Sequence, residues 1–481
     1  MLFMGIDVGT QGARGIICDE RGAVAAAHGE NFASLNVSDY PGGYEQQPAV
    51  WWEAVRKVMK ACRSQLKAAN TDPGQVCAVS VDGTSGTILP VGEDGEALRP
   101  ALMYNDMRAK EEAGRIHQAG RALEEKLGYQ FNASYALPKI LWMKEQLPEI
   151  HRRTWRYIHQ TDYIVGKLCG IYDVTDYSNA LKTGYDLMDN KWPDFLKDCG
   201  IDPAQLPRVV APGERIGTLK SSLAREYGFS PDMLVAAGAT DGYASALAAG
   251  AAKTGDWVSV IGTTMVLKGV TKELLADPAG SSYSHKLPSG AWMLGGAANM
   301  GGRCLNDAFS REQFEEMNQY VEQVIPTGVI SFPLHGKGER FPFINPGAEA
   351  FTLGDISDAR VHYASLMEGV AYAERFALEH MQEIGAEVGP VIYTAGGACK
   401  SPQWMKIRAS VLNRELKVPE AVGADMGSAL LAASAVYFSS LEEAVRQMIT
   451  FQTVVQPDAE LAAAYEALYQ KAKAEYKRRF L

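Results

Sequence analysis

A chain of 481 residues is longer than one hydrophobic core usually serves, so two or more domains are expected. With 47% hydrophobic and 22% charged residues it has the balance of a folded globular protein, which excludes a disordered chain. The net charge of -10 argues against wholesale binding to nucleic acid or to an anionic membrane, and leaves room for one local cationic pocket that takes a small anion.

In chain order, residues 2–8 read as a strand, 9–12 as a glycine-rich bend, 13–18 as a second strand, 20–22 as a turn and 23–27 as a third strand. The first run carries Asp7 among apolar residues, and a buried carboxylate is costly without a partner. Residues 49–68 place Val50, Trp51, Ala54, Val55, Val58, Met59 and Cys62 at helical spacing, and a strand follows from Val76. A helical, polar region is expected from Arg108 to about Gln146, and a buried strand over 233–242 ends in a second lone carboxylate, Asp241. The order strand, Gly-Thr bend, strand then recurs over 255–270, about half the chain after its first appearance. Two similar halves facing each other would make a cleft.

The two bends, Gly9-Thr10 and Gly262-Thr263-Thr264, suit phosphate, because glycine permits close backbone approach and threonine hydroxyls donate further hydrogen bonds. Arg14 can add a charge-assisted contact, and a divalent cation carried by a nucleotide would supply the charge that Asp7 lacks. Singly, each bend also fits a plain hairpin turn, and Asp7 or Asp241 a carboxylate bonding nearby N–H groups, Asp241 as a helix N-cap. As a pair with Asp7 they favour a phosphate site, in which Asp241 would be the base for phosphoryl transfer to an alcohol. A Walker loop, a dinucleotide G-x-G-x-x-G and H-E-x-x-H are all missing. The seven cysteines are scattered without a C-x-x-C pair, which predicts a reducing, cytoplasmic setting, and neither a secretory signal nor a membrane span is expected.

Three stretches, "GIDVGTQGARGIICDERGAV" from Gly5, "GATDGYASALAAGAAKTGDWVSVIGTTMVL" from Gly238 and "YTAGGACKSPQWMKIRASVLNREL" from Tyr393, resemble the first phosphate, second phosphate and adenosine motifs of the FGGY carbohydrate kinases. The likeness is collinear from residue 3 to about 440, and "LRPALMYNDMRAKE" from Leu98 and "LMEGVAYAERFALE" from Leu366 agree with it. It implies an α/β fold of two ribonuclease-H-like, actin/hexokinase-type domains, 1–244 and 245–481, with ATP in the cleft between them and Mg²⁺ accompanying it. By the same resemblance Thr10, Gln11, Gly12 and Arg14 hold phosphate, Asp7 organises the metal and Asp241 is the base. Gly262, Thr263 and Thr264 form the second phosphate loop, Gly396, Gly397 and Ser401 line the adenosine, and Asn299 and Arg303 align with nucleotide contacts.

On the sugar side "SVDGTSGTILP" puts Thr84, Ser85 and Gly86 where typical xylulokinases carry Met-His-Gly, and "YNDMR" keeps Asn105 and Asp106. For these too, a surface turn and a helix cap are the plain alternatives. The implied activity is ATP-dependent phosphorylation of a terminal hydroxyl of a ketopentose of the D-ribulose or D-xylulose type. Erythritol, a pentitol, glycerol or gluconate are alternative substrates, and a slow ATP-driven switch of the actin or heat-shock-chaperone kind is the rival class. The expected partner is a small sugar, with no nucleic acid and no membrane; a homodimer is left open.

Overall fold

A computed structural model describes residues 1–33 and 35–481. The residues group into two compact units: Met1–Ala248, His285–Ala291 and Ala421–Thr450 in the first, and Ala249–Ser284, Trp292–Glu420 and Phe451–Leu481 in the second.

The first unit is built on the strand Leu2–Val8, all seven residues of which are buried. On one side it pairs antiparallel with Gly12–Asp19, which pairs antiparallel with Val24–Asn31. On the other it runs parallel to Val76–Gly83, followed by Leu234–Ala236, parallel, and Arg215–Thr218, antiparallel at the edge. A strand covered on both faces needs apolar side chains at consecutive positions, and "LFMGIDV" supplies them except at Asp7. The helix Pro48–Ala68 covers the meander. Proline opens it, where a missing N–H costs nothing, and Trp51, Ala54, Val55, Val58, Met59, Cys62 and Leu66 form its buried stripe.

The opposite face of the central strand is covered by the helix Ala424–Val436. A Cβ at Gly5 would lie 1.8 Å from the Asp425 carbonyl oxygen and 2.4 Å from the Ala429 nitrogen, so this helix rests directly on the strand backbone. That contact explains why Ala421–Thr450 joins the first unit. The expected division after residue 244 lies close to the point where the chain leaves this unit, at Ala248, but it does not anticipate the return.

The second unit repeats the plan. Trp257–Ile261 pairs antiparallel with Met265–Thr271, which pairs antiparallel with Trp292–Ala297; on its other side come Val391–Ala395 and Glu415–Pro419, both parallel, and Phe451–Val455, antiparallel. Order and sense match those of the first sheet, as the recurring strand-bend-strand signature predicts. The helix Ala359–Glu383 lies in the core of this unit, and Ala459–Phe480 contributes Tyr465, Tyr469, Ala472 and Tyr476 to it. One fully buried ion pair, Arg408 with Glu374 at 2.7 Å, is completed by Thr394 and Ser259, which satisfy the remaining guanidinium donors.

Two expectations change in detail. The helical region after Arg108 is three helices, Lys110–Ala119, Arg121–Leu127 and Ala136–Gln146, with Gly128 closing the second in a left-handed conformation at φ +70°. The buried strand over 233–242 is two, Leu234–Ala236 and Ala239–Thr240, broken where Gly238 meets the Val81 carbonyl of the neighbouring strand. Among the described residues no helix is long and apolar enough to cross a membrane.

Candidate active site

Parallel register brings the carboxylates of the first unit to one end of its sheet. Asp7 pairs with Asp82 and Val8 with Gly83 across the two longest parallel strands, while Gly83 pairs with Thr240 on the other side. The next residue on each chain is therefore Thr84 beside Asp241. In sheets of this kind ligands bind beyond the carboxyl ends of the strands, and Asp7, Thr84 and Asp241 all stand there. Asp241 is half-buried and opens the helix Asp241–Ala249, with the Gly242 N–H donating to its own carboxylate at 2.6 Å.

The crowding has an electrostatic signature. Burial pushes the Asp7 carboxyl up to about 6; a hydrogen bond with Asp82 and the Arg14 guanidinium oppose the rise, and Asp241 and Asp425 add to it. Asp82 is fully buried and, by desolvation and the nearby Asp7 charge, held well above the usual carboxylate range. Its Oδ2 accepts from the Ser428 hydroxyl at 2.7 Å, and the upward shift of both carboxyls favours a proton retained within the pair. Arg14 Nη1 stands 3.5 Å from Asp7, with its side chain 73% exposed, so it is a loose counterion. Positive charge is in short supply here. Among the described residues no three acidic, histidine or cysteine side chains are arranged to hold a metal ion.

The bend after Asp7 is closed by the Gly9 N–H donating to the Gly12 carbonyl at 3.0 Å and secured by Gln46, whose Nε2 donates to the Thr10 carbonyl at 2.8 Å. Gln46 is itself held by the Trp51 indole N–H, at 2.7 Å. Gly9, Thr10, Gln11, Gly12 and Arg14 line a cavity of about 410 Å³, closed on another side by Asn31 and Tyr104. All four expected phosphate residues of this bend line that one cavity.

On the sugar side, Thr84 is buried, its hydroxyl 2.6 Å from that of Thr87 and 2.7 Å from Gln160 Oε1. Ser85 presents a buried hydroxyl with no partner, and Gly86 holds φ +86°. Asn105 is exposed. Asp106 is fully buried, accepting from the Tyr44 N–H at 2.6 Å and from Arg108 Nη2 at 2.7 Å, and so braces the turn that carries Tyr104 and Asn105.

Within the second unit, the loop Gly262 to Thr264 meets Gly302, Arg303 and Gly396. The Gly302 N–H donates to the Gly262 carbonyl at 2.8 Å, and the Arg303 N–H to the Thr263 carbonyl at 3.3 Å. Gly396, exposed and at φ +96°, packs so close that a Cβ there would lie 2.5 Å from the Ile261 carbonyl. Thr263 and Arg303 are exposed and Thr264 half-buried, an open face of backbone N–H groups and hydroxyls. Asn299 faces inward, donating to the Gly338 carbonyl, and Ser401 caps the helix Pro402–Leu412 through the Trp404 N–H at 3.2 Å.

Three functional candidates escaped the sequence reading. Asp82 had a signal, since it follows an apolar run and precedes a glycine as Asp241 does. Asp425, in the first turn of the helix that rests on Gly5, had none, because more than 400 residues separate it from Asp7. Gln160, at the start of the helix Gln160–Cys169, is identified by its grip on Thr84.

Comparison with known proteins gives the class. The chain matches the N-terminal domain of the FGGY family of carbohydrate kinases over residues 2–248 and the C-terminal domain over 257–436, and it belongs to that family. It is a carbohydrate kinase. The chain is 27% identical to the xylulose kinase of Bacillus subtilis (strain 168) over 486 residues, covering 98% of this chain and 95% of the relative. A xylulose kinase structure from Brucella ovis superposes with a TM-score of 0.87 at 24% identity over 99% of both chains. A gluconate kinase from Lactobacillus acidophilus gives 0.85 at 22% identity, over 99% of this chain and 98% of that one.

Proposed function

We propose that this kinase transfers the γ-phosphoryl group of ATP to a terminal hydroxyl of a ketopentose, as a pentulose kinase of the D-ribulose or D-xylulose type. The observation that carries the reading is the register that sets Asp241 next to Thr84, one strand over from Asp82 and two from Asp7, in a chain whose full-length relatives include a xylulose kinase. Phosphoryl transfer asks a protein mainly for positioning and charge neutralisation. Asp241 accepts the proton as the sugar oxygen forms its bond to the γ-phosphorus and the bond to the β-phosphate oxygen breaks, releasing ADP. Its half-buried setting leaves the carboxylate able to receive that proton.

Thr10, Gln11, Gly12 and Arg14 hold phosphate oxygens, while Gly262, Thr263 and Thr264, with Gly396, Gly397, Ser401, Asn299 and Arg303, serve the nucleotide. Asp7 takes part in holding Mg²⁺, which when bound neutralises charge on the phosphates; the excess of carboxylate around Asp7 supports this. Ser85 and Asn105 offer polar groups to the sugar, on loops shaped by Thr84, Gly86 and Asp106.

The test is a coupled ADP assay over D-ribulose, D-xylulose, L-ribulose, pentitols, erythritol, glycerol and gluconate. A pentulose should stimulate ADP release most, and Asp241→Asn should lower kcat by roughly 10² to 10⁴. Stimulation by gluconate or glycerol alone would replace the substrate class. ADP release indifferent to every sugar would remove the pentulose reading.

A further inference from the structure

The loop Thr84 to Gly86 is held from beneath by two buried side chains, Gln160 and Lys139. Gln160 Oε1 accepts both the backbone N–H of Thr84, at 2.9 Å, and its hydroxyl, at 2.7 Å. Lys139 Nζ donates to the Gly86 carbonyl and to the Ser134 carbonyl, each at 3.0 Å. Both side chains are 0% exposed. At Gly86 a Cβ would lie 2.4 Å from the Ser134 carbonyl oxygen, so only glycine at this positive φ lets the two carbonyls meet one ammonium. His159 ties down the far end of the loop, its Nδ1 3.0 Å from the Thr87 carbonyl.

An ammonium wholly out of water and bound to carbonyls rather than a carboxylate is a poor stabiliser. Burial lowers its pKa to about 7, against the pull of Asp106 and with the repulsion of Lys182 and Arg108. The retained geometry is what this arrangement gains. The one side-chain polar atom that these anchors leave without a partner in the loop is the Ser85 hydroxyl.

We propose that Gln160 and Lys139 are positioning residues of the sugar site: together they fix the Ser85 hydroxyl just beyond the strand end that adjoins Asp241, and so set affinity for the phosphoryl acceptor. This rests on the pentulose kinase reading. The side chains act on the acceptor through the loop and leave the nucleotide residues untouched, which separates this role from a general contribution to folding.

The experiment is steady-state kinetics of the full chain with D-ribulose and D-xylulose as probes, with melting temperatures measured in parallel. Lys139→Met and Gln160→Leu should each raise the sugar KM about tenfold or more while the ATP KM stays within about twofold. Gln160→Glu, which keeps the oxygen that accepts from Thr84, should bring the sugar KM back to within about threefold of wild type. If Lys139→Met does not fold, the two Gln160 variants decide. Unchanged sugar KM with a lower melting temperature would overturn the proposal alone, provided the wild type is stimulated by sugar and Asp241→Asn is not turning over. A wild type that neither sugar stimulates would overturn the pentulose reading and this inference with it.

Discussion

Asp7 and Asp82 are direct partners across the parallel strands Leu2–Val8 and Val76–Gly83, two buried carboxyls that burial holds above the usual carboxylate range. Like charges so placed cannot both ionise freely, so one proton is retained and Asp7 is left as the exposed face of the pair.

That relationship gives Asp7→Asn opposite effects on stability and turnover. Burial raises the Asp7 pKa from 3.8 to about 6, so the folded chain prefers the protonated form, and ionisation at neutral pH costs stability. Asparagine removes that cost, and the variant should be more stable at pH 7.5 by about 1–3 kcal/mol. Its kinase activity should fall by about 10² or more, with the Mg²⁺ requirement displaced to higher concentration. Thermal melts and magnesium titrations of turnover check the two halves; a variant of normal magnesium dependence would remove Asp7 from the metal site.

Gly5→Ala should disrupt the first unit. The new methyl would meet backbone at 1.8 and 2.4 Å, with no flexible side chain to yield, and overpacking of this kind costs about 1–3 kcal/mol or more. Lower melting temperature together with faster proteolysis near residues 421–450 is the expected outcome. An unchanged melt would mean that the helix Ala424–Val436 does not rest on this strand.

These examples mark what could be read in advance. The central strand, the glycine bend, the helix over 48–68, the repeated signature and the lone acids Asp7 and Asp241 were legible, because local periodicity and turn chemistry determine them. The partnership of Asp7 with Asp82 was not, since it depends on a register that includes an irregularity between Leu2 and Phe3, set by packing rather than by neighbours in sequence. Nor was the engagement of Asp106 by Arg108 and Tyr44, which braces the turn that carries Tyr104 and Asn105. What Lys139 does was not legible either, since its contact with the Gly86 carbonyl joins residues 53 apart in sequence.

In the second unit, Glu368 should make stability fall as pH rises. It accepts from the Thr327 N–H at 3.0 Å, from the Thr327 hydroxyl and from the Tyr465 hydroxyl at 2.9 Å. Burial nevertheless raises its pKa from 4.5 to about 7, with these hydrogen bonds opposing. The native state therefore holds more protons than the unfolded one between about 4.5 and 7, so this contribution is complete below the unfolded pKa and is lost as pH climbs through the folded value. Glu368→Gln should gain on wild type between pH 5 and 8 by up to about 3 kcal/mol, read as a widening difference in melting temperature. Parallel curves would show that Glu368 does not titrate in this range.

Removing Arg408 tests the buried ion pair. Arg408→Met strands the Glu374 carboxylate in the core and should cost about 3–5 kcal/mol, whereas Arg408→Met with Glu374→Leu should recover most of it. Melting temperatures of the single and double variants form the cycle; equal losses in both would locate the effect in side-chain volume instead.

The return of Ala421–Thr450 to the first unit has a consequence for biosynthesis. Gly5 is made more than 400 residues before the helix that covers it, which begins at Ala424. The nascent sheet must wait, one apolar face uncovered, until that helix has been translated. Chaperone demand during synthesis, and misfolding of any truncated chain that stops short of that helix, follow from this order of assembly.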